Sequence, residues 1–93
     1  MLDKIKQLME VKKQAEQMKR ELESSRLEIN DVRGIKIVIN GAQHFDSIEI
    51  DETLLSPSNK SRLEGDLLRS VNAAIRKSQQ AAAQKMAAVM PGF

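Results

Sequence analysis

The chain has no cysteine, no tryptophan and no tyrosine, and its only aromatic residues are Phe45 and Phe93. Without cysteine there is no disulfide framework, no thiolate nucleophile and no Cys/His zinc cluster. Such usage suits the reducing cytosol. Without a row of aromatic rings there is no platform on which the bases of a single strand could stack. Histidine is as scarce: His44 stands alone beside an anticipated hairpin turn, with no positioned partner for general acid–base work. The carboxylates of Asp51 and Glu52 are neighbours at a strand end, where side chains point apart, and as helix-entry acids they suit an N-terminal dipole. The four glycines, Gly34, Gly41, Gly65 and Gly92, are scattered and make no phosphate-cradling loop. No run is long and apolar enough to span a membrane, and the charged start from Asp3 onward does not read as a signal peptide. These absences argue against an enzyme, a metal site or a cofactor carrier, and for a protein that stays in the cytoplasm.

What is present is charge and helix-forming residues. With 93 residues, 41% hydrophobic and 30% charged, the composition is that of one globular domain spanning 1–93. A domain this small leaves about a third of its unfolded-chain surface uncovered, so self-association is a natural source of further burial. The net charge is only +2, but the charges are segregated. Residues 1–26 hold seven bases against five acids, residues 27–52 two against six, and residues 67–93 four bases and no acid. Basic ends around an acidic middle can steer an anionic partner toward the ends.

The periodicity predicts an α+β order of long helix, three-stranded antiparallel meander and long helix. Residues 1–26 contain no Gly or Pro, and Leu8, Val11, Ala15, Met18 and Leu22 step by three and four, the a/d seam of a helix that packs on another. Leu2, Ile5 and Met9 widen that face. Over 27–51 the period falls to two: Leu27 and Ile29, then Ile35, Ile37 and Ile39, then Ile48 and Ile50. Val32-Arg33-Gly34 and Asn40-Gly41 supply the turns, the second through residues that tolerate positive φ. Ser56 or Ser58 is the expected N-cap and Pro57 a first-turn residue of a helix over 57–90, ended by Pro91-Gly92. Along it, Leu63, Leu67, Val71, Ala74, Ser78, Ala81 or Ala82, Lys85 and Val89 follow one face, large first and small later, so the later half is expected to be an exposed arm.

If the partner is a nucleic acid, the contacts must be Lys and Arg to phosphate on a duplex. Lys6, Lys13 and Arg20 lie seven apart, as do Lys12, Lys19 and Arg26, and Arg62, Arg69 and Arg76, so each trio lines one side of its helix. In the first helix Asp3, Glu10, Glu16 and Glu23 stand three before Lys6, Lys13, Lys19 and Arg26 and are expected to pair with them. The last helix has no acid after Asp66, which singles out Arg69, Arg76, Lys77 and Lys85 as unneutralised.

Several segments taken in order resemble the YbaB/EbfC family of nucleoid-associated proteins. They are Leu8-Met9 through Gln14-Ala15-Glu16-Gln17-Met18, Ile39-Asn40-Gly41-Ala42, Glu49-Ile50-Asp51 followed by Leu54-Leu55, Leu63-Glu64-Gly65-Asp66-Leu67, and Met90-Pro91-Gly92-Phe93. The resemblance implies an elongated homodimer with paired sheets in the middle and helices projecting as tweezer-like arms. It implies binding to double-stranded DNA with little sequence preference, at the nucleoid, in chromosome organisation or gene regulation. Charged positions matching the family's are Lys4, Lys6, Lys12, Lys13, Lys77 and Lys85. The chain departs in lacking a Gly-rich stretch before the first helix and in joining its first two strands through Val32-Arg33-Gly34 alone. The alternative is a protein-interaction module: the helix–hairpin–helix plan is also similar to prefoldin-like chaperone subunits, and Met1, Met9, Met18, Met86 and Met90 would suit adaptable client binding.

Overall fold

The computed structural model describes residues 1–89. Its elements are α1 (Leu2–Ser24), β1 (Leu27–Ile29), β2 (Ile35–Ile39), β3 (Phe45–Ile50), 3-10 turns at Glu52–Leu54 and Pro57–Asn59, and α2 (Lys60–Val89). The expected order of helix, meander and helix is what is found. The first helix stops two residues before Arg26 because Ser25 turns extended, its hydroxyl donating back to the Leu22 carbonyl at 2.7 Å. Ser56 takes the N-cap position ahead of Pro57, but its hydroxyl pairs with that of Ser58 and makes no cap bond. Asp51 caps the first 3-10 turn instead of the long helix, accepting from the Thr53 amide and hydroxyl at 2.9 Å. The expected stop at Pro91-Gly92, the helix end at Met90 and the aromatic Phe93 lie outside the described residues.

The sheet has the order β1-β2-β3 and is antiparallel throughout. Its register sets Leu27 opposite Ile39 and Ile29 opposite Ile37 on one side, and Ile35 opposite Ile50 and Ile37 opposite Ile48 on the other. The period-two isoleucines therefore share one face, on which α2 lies across β2 and β1. Ile29, Ile35, Ile37 and Ile39 are buried there with Ala73 and Ala74, and Leu63, Leu67 and Val71 pack around them half-buried. The expectation that burial fades as the side chains of α2 shrink is corrected as far as Ser78, while the expected exposed arm begins after it, no residue of 79–88 being buried. The most deeply buried α2 positions are Ser70, Ala73, Ala74 and Ser78. Small side chains let the helix axis approach branched isoleucines, so the sheet supplies the volume and the helix the fit. The two serines stay satisfied, Ser70 donating to the Asp66 carbonyl and Ser78 to the Asn40 carbonyl at 2.7 Å.

The β2–β3 reversal is also built differently from the expected Asn-Gly turn. Positive φ falls at Gln43, and neither Asn40 nor Gly41 needs it. Asn40 is buried and organises the loop: its Oδ1 accepts from the amides of Ala42 and His44, both at 2.9 Å. Its Nδ2 donates to the Glu23 carbonyl at 3.2 Å, and the Gly41 amide donates to the Leu22 carbonyl at 3.0 Å and to Ser25 Oγ at 2.9 Å. Gly41 suits this approach, since a Cβ there would sit 2.9 Å from Leu22 Cδ2 and 3.0 Å from Ser25 Oγ and both side chains would have to give. Residues 40–41 thus dock the last turn of α1, α2 also touches α1 near its end, and no residue of that helix is fully buried. The molecule spans 68 × 21 × 16 Å with a radius of gyration of 18.5 Å, against about 12 Å for a compact domain of this length. The excess is the projecting helices.

Candidate nucleic-acid interface

Successive residues of α1 turn by about 100°, which puts Lys6, Lys13 and Arg20 roughly 180° from the seam of Leu8, Val11, Ala15, Met18 and Leu22. All three bases are exposed. From Lys6 to Arg20 the row runs about 21 Å along the axis. Lys12 and Lys19 occupy a flank between row and seam, and Lys4 falls in line with the seam itself. The structure therefore groups Lys6 and Lys13 with Arg20, and sets Lys12 and Lys4 apart from them. Arg20 was legible as the third member of a seven-residue row, although the family resemblance did not point to it.

The pairing expected within α1 is absent. Among the described residues no ion pair involves a base of α1; the five pairs are Lys36–Glu28, Lys60–Glu64, Arg62–Asp66, Arg69–Asp66 and Lys77–Asp31. Three-residue spacing on a fully solvated helix gains too little to hold two long side chains together. The reverse correction applies to α2, whose bases were expected to be unneutralised. Arg69 is bound by Asp66, one turn before it, whose side chain is only 10% exposed. Lys77 Nζ lies 2.6 Å from Asp31 Oδ1, a partner from the β1–β2 turn. Lys85 is half-buried, its ammonium 3.4 Å from the Glu21 carbonyl, where it bridges α2 to the end of α1. Of the four, Arg76 alone is exposed without an ion pair among the described residues. Arg69, Asn72 and Arg76 line a shallow depression against Asp31 and Val32.

Elsewhere the surface offers little chemistry. The Lys36 ammonium, 2.7 Å from Glu28, holds the Glu28 carboxyl below its ordinary range, and Glu28 in turn raises Lys36. The Asp51 carboxyl is lowered by the Thr53 amide and then by its hydroxyl. Both effects belong to a solvated strand pair and a turn. His44 is exposed on the hairpin. Among the described residues no three His, Cys, Asp or Glu side chains are placed to hold a metal ion, and no helix is long and apolar enough to cross a membrane.

A second surface is apolar. Phe45, Ile48 and Ile50 extend the sheet face that α2 covers only over β1 and β2; Phe45 and Ile48 are 41% and 47% exposed. The outer edge of β3 pairs with no strand among the described residues. Along α1, Leu8 and Met9 are 70% and 66% exposed.

The sequence profile of the YbaB/EbfC DNA-binding family matches residues 1–93. A nucleoid-associated protein of Syntrophobacter fumaroxidans is 32% identical over 59 residues, which covers 63% of this chain and 54% of that protein, so the match spans about half the relative's length.

Proposed function

Because the chain belongs to the YbaB/EbfC DNA-binding family, we propose that it binds double-stranded DNA as a homodimer at the nucleoid, through Lys and Arg contacts to phosphate with little sequence preference, in chromosome organisation or gene regulation. The observation that carries this reading is the two-sidedness of α1. The outer part of its apolar seam, Leu8, Val11 and Ala15, is exposed and open to a second copy while the unpaired row of Lys6, Lys13 and Arg20 faces the opposite way. One helix can then serve dimer and DNA at once. The bare strip of Phe45, Ile48 and Ile50 and the open β3 edge supply a second self-complementary surface, as a two-fold dimer requires. Doubling the chain also doubles +2 to +4, a modest charge that suits weak, exchangeable, salt-sensitive binding.

Within this reading Lys6 and Lys13 make the primary phosphate contacts, with Lys12 beside them. Arg76 contributes from α2, whereas Arg69 and Lys77 are held by Asp66 and Asp31 and make no primary contact. Lys4 and Lys85 are peripheral, being aligned with the seam and folded against α1 respectively. Localisation follows the ligand: cytoplasmic, on the nucleoid. The relative's nucleoid-associated name supports this role.

The test is a salt titration of binding to labelled duplex of scrambled sequence, with single-stranded DNA as competitor. The three bases Lys6, Lys13 and Arg20 from each of two protomers predict a slope of roughly −5 in log K against log salt, at about 0.9 per phosphate, and contacts by Lys12 or Arg76 would steepen it. Charge reversal of Lys6, Lys13 and Arg20 to Glu should abolish binding and leave the far-ultraviolet spectrum unchanged. The exposed seam residues Leu8 and Val11 favour a second reading, a holder of unfolded client proteins. Absence of duplex binding at low salt, with client binding that persists at high salt, would establish that reading instead.

A further inference from the structure

Resting on the DNA-binding reading, we infer that Asp31 is an internal competitor for DNA phosphate, holding Lys77 out of the interface and lowering the charge of the surface around it. Asp31 lies in the turn after β1, and its carboxylate reaches 46 residues along the chain to the Lys77 ammonium at 2.6 Å. Neither group is buried: the Lys77 side chain is 48% exposed and that of Asp31 36%. The pair is therefore open to exchange, and an incoming phosphate oxygen meets the ammonium from solvent without unfolding anything. The same carboxylate borders the depression lined by Arg69, Asn72 and Arg76. Three bases gathered on one side of α2 are thus set against two carboxylates, Asp31 and Asp66. Without them the cluster would be a strong anion site; with them it is nearly balanced, and α1, whose bases are unpaired, makes the first contact. A surface ion pair is weak enough for phosphate to replace and strong enough to tax the exchange. The device sets affinity low, so that the protein leaves one duplex segment for the next.

The experiment compares duplex affinity and salt slope for the full chain, Asp31→Asn, Lys77→Met, the double variant, and Glu52→Gln. Glu52 is an exposed acid with no ion pair among the described residues, so its loss reports the effect of unit charge alone. Asp31→Asn should tighten binding by roughly two- to fivefold per protomer and steepen the slope by about one per protomer. Glu52→Gln should do less on both counts. Lys77→Met should change wild-type affinity little, because its ammonium is already held, and should cut the gain from Asp31→Asn down to that of Glu52→Gln, because the freed ammonium supplies the rest. A gain from Asp31→Asn equal to that of Glu52→Gln, or one that survives undiminished in the Lys77→Met background, would overturn the inference and leave DNA binding intact. If neither the full chain nor Asp31→Asn holds duplex at low salt, the DNA-binding reading falls, and the inference with it.

Discussion

Replacing Asn40 by Ala removes three hydrogen bonds from one buried side chain: two accepted from the Ala42 and His44 amides and one donated to the Glu23 carbonyl. At a net 0.5–1.5 kcal/mol each, the loss is roughly 2–4 kcal/mol, weighted upward because two amides lose a buried partner. The Asn40 carbonyl that receives Ser78 is backbone and survives the change. What fails is the hairpin tip and, with it, the tie to the last turn of α1. Since α1 is otherwise held only by a few contacts with α2 near its end, the consequence extends beyond stability: the row of Lys6, Lys13 and Arg20 is held less firmly in its orientation without any base being altered. Urea unfolding followed by circular dichroism should show a lowered midpoint. Hydrogen exchange should localise the added opening to the amides of residues 22–25 and 41–44, and duplex affinity should fall with no change in charge. Asn40→Asp separates the two halves, keeping the acceptor oxygen for the loop amides and losing the donor to α1. A stability loss under about 0.5 kcal/mol for Asn40→Ala, below the low end for even a single pair, would refute the claim that residues 40–41 are the joint on which α1 is mounted.

Gly34→Ala should cost more than 1 kcal/mol, because φ is +88° and the added Cβ would meet Leu54 Cδ1 at 2.7 Å; thermal unfolding at fixed concentration checks it. Ile48→Lys, placed in the bare strip beside β2, should convert a dimer to monomer in sedimentation while the monomer stays folded; an unchanged dimer would move the interface away from β3. Carbon-detected titration of the Glu28 carboxyl should give a midpoint below the ordinary glutamate range, restored toward it by Lys36→Met. The sign follows from the depressed folded value: this pair's stabilisation is present above the unfolded glutamate pKa and is lost as pH falls through the folded one. For Lys36, whose value is raised, it is present below the unfolded lysine pKa and lost as pH climbs through the folded one.

The elements were legible because local chemistry carries them. A Gly- and Pro-free run of helix formers, isoleucines at every second position and a Ser-Pro-Ser entry each express one backbone preference within a few residues, and the structure places α1, β2 and α2 accordingly. The seven-residue rows were legible for the same reason, since helical geometry alone fixes which residues share a side. Other features depend on which distant segments meet. No pattern in 67–89 shows that Lys77 has a carboxylate partner, because Asp31 is brought to it by the packing of the β1–β2 turn on α2. In α1 the error ran the other way: spacing advertised pairs that solvent screening leaves unmade. Nor could volume along α2 reveal its deepest contacts, because burial depends on the surface opposite. Facing large isoleucines, Ala73, Ala74, Ser70 and Ser78 are what permits close approach. The sequence by itself determined the elements, their order and the sides of the helices on which bases and apolar groups stand, since these follow from backbone preferences a few residues long. Only the tertiary structure decided which bases are neutralised, which helix residues are core, and that Asn40 and Gly41 mount α1, since each depends on atoms that chain closure alone brings into contact.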